Sequence, residues 1–325
     1  MLVAKLNSDA FCTSIEKALA DPPDTNSSII RIQNTLNGLP DGKLYINHQG
    51  SKVNFLTVKN GRLKYVSKNS SQIYTLARRR YQMTLLEILK LSASSKQSDI
   101  ERRRNLIILL QKFISACGQG NLDIARIVLT SSQYKWLTGN FVQKRIDESI
   151  AFQTTEGILV RSMAERDIIN KCEAYAIPLH YEERLTIFVK PLVDELYEEL
   201  KQKGLASGQV YSYANGNIHW NVPSELEWMN SRGSVWKSYN PSKGEIAIYN
   251  DIRSMFADGS LFLWEHEGMM KQFGYRMHSS ERASILKYTG TVSKSNFLET
   301  YTHEINKPEK IAAIIEQQIL PRLWF

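Results

Sequence analysis

The order of hydrophobic patterns predicts a mixed α/β fold of the α+β kind, with a small antiparallel sheet and helices first and an αβββαβ core with an insertion after them. Three observations predict it. Residues 42–70 hold three short, partly alternating runs, "GKLYINHQG", "KVNFLTVKNG" and "RLKYVSKNS", broken by Gly and Asn-Gly turn signals. The next stretch changes to helical spacing. From Ser162 a helical segment precedes three strand-like segments, then a helix, a strand and a terminal helix.

Taken in order, residues 1–30 read as a short helix followed by the loop "DPPDTNSS", where proline and small polar residues mark a break. The three runs of 42–70 form the small sheet. In "SSQIYTLARRRYQMTLLEILKLSASS", Ile73, Leu76, Tyr81, Leu85, Ile88 and Leu89 share one helical face. "ERRR" opens another helix at Glu101, running to about Ala116. The segment "GNLDIARIVLTSSQYKWLTGNFVQKRID" carries no clear period, and "EGILVRS" closes the first half. The second half reads as helix 162–176, strand 179–189, an insertion over about 190–245 with its own helix near 191–204, strands 246–256 and 260–266, helix 277–288, strand 296–302 and helix 307–319. The expected division is thus a module of residues 1–150 and a domain of residues 151–325.

Composition sets limits on function. The 325 residues are 42% apolar and 23% charged, ordinary values for a folded soluble chain. No apolar run reaches the roughly 20 residues of a membrane span, and "MLVAKLNSDAF" lacks a signal-peptide core, so a cytoplasmic protein is expected. Cys12, Cys117 and Cys172 are too far apart to suggest zinc or a disulfide framework. Residues 1–150 hold 22 Lys and Arg against 11 Asp and Glu, while the remainder holds 19 against 22. A basic half attracts polyanions or merely keeps a surface soluble; an acidic half can gather carboxylates for other work.

The stretch "MFADGSLFLWEHEGMM" concentrates that acidity. A three-residue loop of Ala257, Asp258 and Gly259 pairs Phe256 with Ser260 and, counting outward, Asp251 with Glu265. Asp251, Arg253, Glu265 and Glu267 then share a face and His266 takes the other; a two-residue loop would undo this. Opposed carboxylates repel unless neutralised, and a divalent cation neutralises them; the plainer reading leaves them at a solvated sheet end. In "RSMAERDIINKCEAYAI", Ser162 and Glu165 match a capping box, yet Glu165 also lies in line with Ile168, Ile169 and Cys172 on the apolar stripe. The insertion's Tyr211, Tyr213, Trp220, Trp228, Trp236 and Tyr239 suit either packing or base stacking, with packing favoured. No zincin, P-loop or nucleophile-elbow pattern is present.

With a helix glutamate, an aspartate entering the second strand and a glutamate near the end of the third, the αβββαβ run resembles the PD-(D/E)XK nuclease superfamily. "VRSMAERDII", "IPLHYEERL", "YNDI", "DGSLFLWEHEGMM" and "SILKY" resemble the C-terminal domain of bacterial proteins assigned to it, and "GKLYINHQGSKVNFLTVKNGRLKYVSKNSSQIYTLARRRY" resembles their N-terminal sheet and helix. The resemblance implies a nuclease in which Asp251 and Glu265 bind Mg²⁺ or Mn²⁺ and Glu165 assists. Two departures stand out. Asn250 replaces the motif proline, and Glu267 occupies the lysine slot two residues after Glu265. Lys287 is the expected migrated lysine, with Arg253 as fallback. Arg78, Arg79, Arg80, Arg102, Arg103 and Arg104 are the expected phosphate contacts to DNA. RNA as substrate stays open, as do a homo-oligomer, a protein partner and the biological setting, whether defence, mobile element or repair. The rival expectation is a nuclease fold that has lost its chemistry and binds nucleic acid or protein.

Overall fold

In the computed structural model, which describes residues 6–20, 25–59, 61–205, 208–214, 217–293 and 295–325, the chain opens with helices α1 (Ser8–Ala20) and α2 (Thr25–Asn37). One helix and a loop were expected. Asp21 to Asp24 of that loop lie outside the described residues, as does Asn60 of the Asn-Gly turn, but Thr25–Ser28 begin α2. Ser and Asn form helices poorly alone; here Ile32 is buried and Ile29 and Leu36 pack beside it, and that packing outweighs propensity.

Strands β1 (Leu44–Gln49), β2 (Lys52–Lys59) and β3 (Arg62–Tyr65) form an antiparallel sheet with β2 central. Helix α3 (Ser71–Ser92), capped by Ser70, buries the six apolar residues that its spacing singles out. Helix α4 (Gln97–Gln119) starts four residues before Glu101, because its polar first turn has no side-chain cap to announce it. The stretch without a clear period holds α5 (Ile124–Val128) and α6 (Ser131–Thr138), capped by Asp123 and by the Thr130/Gln133 capping box. Both are too short to display an apolar period.

A hairpin of two-residue strands, β4 (Phe152–Gln153) and β5 (Leu159–Val160), leads to α7 (Met163–Ala174) and β6 (His180–Phe188). The insertion contains α8 (Lys190–Gln202), β7 (Tyr211–Ala214) and β8 (Asn217–Trp220). Then come β9 (Glu245–Met255), β10 (Leu261–Glu267), α9 (Phe273–Tyr288), β11 (Phe297–Tyr301) and α10 (Pro308–Ile314). Helix α9 begins four residues before the expected position, again without a capping side chain. The last helix does not end at 319: a π turn at Ile315–Ile319 passes into α11 (Leu320–Trp324), and Pro321, which has no N–H, accounts for the widened turn.

The main sheet runs β11-β10-β9-β6, with β6/β9 and β9/β10 antiparallel and β10/β11 parallel, so α9 is the crossover between the parallel pair. Trp264 and Ile252 face α7's Ile168, Ile169 and Cys172, in a buried cluster that continues to Phe11, Tyr81 and Phe325. This one cluster draws on residues from both sides of position 150. On the opposite face Leu263, Ile246 and Ile248 meet Ile285 and Leu286 of α9 and the aromatics of the insertion. There Trp220 is fully buried, with Tyr211, Trp236 and Tyr239 within 5.3–5.6 Å ring to ring, so these four pack; Tyr213 is exposed.

Gln133 ties the two halves. Its amide donates to the carbonyls of Met255 and Leu323, each at 2.9 Å. Gln133→Leu would leave two buried carbonyls bare and open the α6 cap, so a loss of about 2–3 kcal/mol is expected, read as a lower urea midpoint with unchanged slope.

Candidate active site

The turn at 257–259 fixes the register of the site. Phe256 N–H donates to the Ser260 carbonyl at 2.9 Å, Gly259 has φ +89°, and the ladder runs from Met255↔Leu261 to Ile252↔Trp264. One step further Asp251 comes beside Glu265, but the ladder stops there, because the Asp251 carboxylate accepts the His266 N–H at 2.8 Å. The other neighbour breaks at the same level. Glu182 on β6 has φ +51°, and β6/β9 pairing skips from Tyr181↔Ile252 to Glu183↔Asn250. Ile248 and Ile252, of equal parity on β9, therefore pack on opposite faces. A left-handed backbone at a non-glycine residue costs about 1–2 kcal/mol. Here it accompanies the turning of Glu182 and Asp251 into the protein.

Five carboxylates are buried at this break: Glu165, Glu182, Asp251, Glu265 and Glu267. Two guanidinium groups answer them. Arg161 pairs with Glu182, with Asp251 at 3.2 Å and with Glu165 at 3.7 Å; Arg282 lies 3.6 Å from both Glu265 and Glu267. Asn250 Nδ2 donates to Glu265 Oε1 at 2.6 Å, and Ser279 Oγ donates to Glu267. Glu165 does cap its helix, its Oε2 accepting the Ser162 N–H at 2.9 Å, and the same oxygen takes the Arg161 N–H and the Tyr181 hydroxyl. Capping and lining the site are thus one placement, since an N3 residue on the buried stripe of α7 points at the sheet.

The electrostatics follow from burial. Asp251 is held well above the usual carboxylate range by desolvation and by repulsion from Glu265 and Glu165. Burial pushes Glu265 up to about 6 against the pull of Arg282, and raises Glu182 against the pull of Arg161. Burial disfavours the Arg282 cation, but Glu265, Asp251 and Glu267 more than reverse that.

Both oxygens of Glu182, Oε2 of Glu265 and of Glu267, and Oδ1 of Asn250 are buried without a hydrogen bond. Among the described residues no three His, Cys, Asp or Glu side chains converge into a ready coordination shell. The donor chemistry nevertheless suits a hard divalent cation: oxygen ligands, excess negative charge and orphaned acceptors.

Asp251 lies close enough to Glu165 and to Glu265 for both charges to raise its pKa. Lys287 does not join them; its half-exposed chain lies over Phe297 and pairs with Glu299 at 3.8 Å. Arg253 turns to Glu183 at 3.0 Å instead of the acidic face, because the break at Asp251 changes the alternation. The cation that α9 delivers is Arg282, five residues before Lys287. Arg161, Glu182 and Arg282 were missed: the first precedes its helix, the second sits in an irregular strand, and the third was one of several bases on α9. His266 alternates with Glu265 along β10, its Nδ1 3.3 Å from Thr300 Oγ1, and burial lowers its pKa against the opposing charges of Glu165 and Glu267.

The basic clusters behave differently from the expectation. Arg78 donates to the Leu129 carbonyl at 2.6 Å, Arg79 to the carbonyls of Leu36 and Leu39 and to Asp41, and Arg80 to the Leu44 carbonyl at 2.9 Å while lying over Phe113. Arg102 pairs with Glu87 and Arg103 donates to the Leu19 carbonyl, leaving Arg104 exposed. Five of the six guanidiniums are engaged within the chain. No protein-family model, curated protein or solved structure matches the chain.

Two predictions follow from these contacts. A carboxyl raised in the folded state binds its proton more tightly there than when unfolded, so its contribution is favourable at low pH and is lost as pH rises through about 6. Glu265→Gln, measured by chemical denaturation in EDTA, should match wild type near pH 4.5 and gain on it by about 2 kcal/mol near pH 7.5. Arg78→Met or Arg80→Met should each lose about 1–3 kcal/mol by baring a carbonyl, whereas Arg104→Met should stay within about 0.5 kcal/mol in the same assay.

Proposed function

We propose that this protein is a metal-dependent nuclease with a PD-(D/E)XK-like core, hydrolysing phosphodiester bonds, most directly those of DNA. The observation that carries the reading is the buried, under-neutralised Asp251 with Glu165 and Glu265 as charged neighbours, the three carboxylates lying on the first helix, the second strand and the third strand of an αβββαβ core. The mixed sheet with its crossover helix supports it. Asp251 and Glu265 would hold Mg²⁺ or Mn²⁺, and Glu165 would hold the ion or a water. The bound ion would supply Lewis acidity and a water of lowered pKa.

The chain's own residues divide the remaining work. Glu267 in the lysine slot cannot stabilise negative charge, but it helps hold Arg282 beside Glu265, and a guanidinium there would offer charge to a developing phosphorane without needing to lose or gain a proton. Asn250 orients Glu265 by its 2.6 Å bond and leaves Oε2 for a ligand.

A second reading, a nuclease fold serving only as a binding module, is favoured by one observation: among the described residues no lysine forms an ion pair with the cluster, and both of its cations already lie against carboxylates.

Supercoiled and linear DNA, and RNA in parallel, incubated with Mg²⁺, Mn²⁺ or EDTA, test the proposal. Cleavage should need the metal, and Asp251→Asn and Glu265→Gln should each lower it at least about a hundredfold, with Arg282→Ala close behind. Cleavage in EDTA, or cleavage unchanged in both carboxylate variants, would overturn it. Salt-sensitive binding with no cleavage under any divalent metal selects the second reading.

A further inference from the structure

Arg161 presents one nitrogen to three carboxylates. Its Nη2 contacts Glu182 Oε1, Asp251 Oδ1 at 3.2 Å and Glu165 Oε1 at 3.7 Å, so oxygens from β6, β9 and α7 converge on a single positive atom. The arginine side chain is 40% exposed, whereas those of Glu165, Glu182 and Asp251 are 9%, 0% and 7% exposed. Of the four groups it is the one that reaches solvent. Its backbone is anchored separately, the N–H donating to Glu165 Oε2 and to Tyr181 Oη, both at 3.0 Å. The guanidinium can therefore swing outward while the chain stays in place.

Glu182 is the second observation. It is fully buried, its Oε1 is held by Arg161 in its only ion pair among the described residues, and its Oε2 accepts no hydrogen bond. Nearby Asn250 keeps a buried Oδ1 without a donor. A carboxylate at zero exposure with one oxygen unpartnered is costly unless a cation faces it. A guanidinium meets that need in part, since it is bulky and offers directed N–H groups; a small hard ion satisfies several oxygens at once.

We propose that Arg161 is a resident counter-ion that a divalent cation displaces, and that Glu182 is a further carboxylate ligand of the cation that enters. This rests on the cation-binding part of the function proposed above. Loading the site then releases a guanidinium at its mouth, where an entering phosphate passes.

The test is Mn²⁺ binding by isothermal titration calorimetry, with thermal unfolding in EDTA and in Mn²⁺, on the full chain and on Arg161→Met, Arg161→Lys and Glu182→Gln. Removing the competitor should tighten Mn²⁺ binding about tenfold or more in Arg161→Met, with a lower melting temperature in EDTA that Mn²⁺ restores. Arg161→Lys, a less disruptive change, should fall between. Glu182→Gln should weaken binding about tenfold. Equal or weaker binding by both Arg161 variants, unchanged binding by Glu182→Gln, or no Mn²⁺ bound by any form would each overturn the inference. Metal-dependent DNA cleavage with no gain in the Arg161 variants removes this inference and leaves the nuclease reading; the gain without any cleavage does the reverse.

Discussion

The surroundings of the site are organised by one electrostatic constraint: five carboxylates taken out of water against two guanidinium groups. Desolvating a charge costs several kcal/mol per ion even after relaxation, and like charges at contact add to that. The features that look irregular are where this is offset. The β9/β10 ladder gives up a backbone acceptor so that the His266 N–H can serve Asp251, Glu165 takes three donors on one oxygen, and the guanidiniums bridge carboxylates from different elements. Pairing and hydrogen bonding are incomplete, and the raised pKa values of Asp251, Glu265 and Glu182 express the remainder.

The basic half illustrates how net charge misleads about location. A surplus of Lys and Arg in residues 1–150 suggested a polyanion surface, and "ARRRY" and "ERRR" were its most concentrated stretches. Folded, most of those guanidiniums end on carbonyls left over at the ends of helices and strands, such as Leu129, Leu39, Leu44 and Leu19. Arginine suits this use because its five donors reach acceptors that no backbone N–H can. Charge counted along a sequence includes these internal staples; only the fraction left at the surface acts at a distance.

By itself the sequence determined the element types of the αβββαβ run, the small antiparallel sheet, and the hairpin register that brings Asp251 beside Glu265, but not the short strands β4, β5, β7 and β8. Those rest on local physics: apolar period, the left-handed glycine of a three-residue loop, and a capping box. It also singled out three of the five carboxylates of this cluster, because Glu165, Asp251 and Glu265 sit at positions fixed by such local rules. Helix α2 was not legible because packing rather than propensity holds it, nor were the first turns of α4 and α9, which no capping side chain marks. Only the tertiary structure decided which positive groups meet the acidic ones. Arg282 rather than Lys287, Arg253 turned to Glu183, and Arg161 at the focus of three oxygens all depend on where α9 lies and on a strand break at Glu182. Long side chains choose partners by three-dimensional proximity, and a single residue of positive φ reverses the alternation from which strand faces are read.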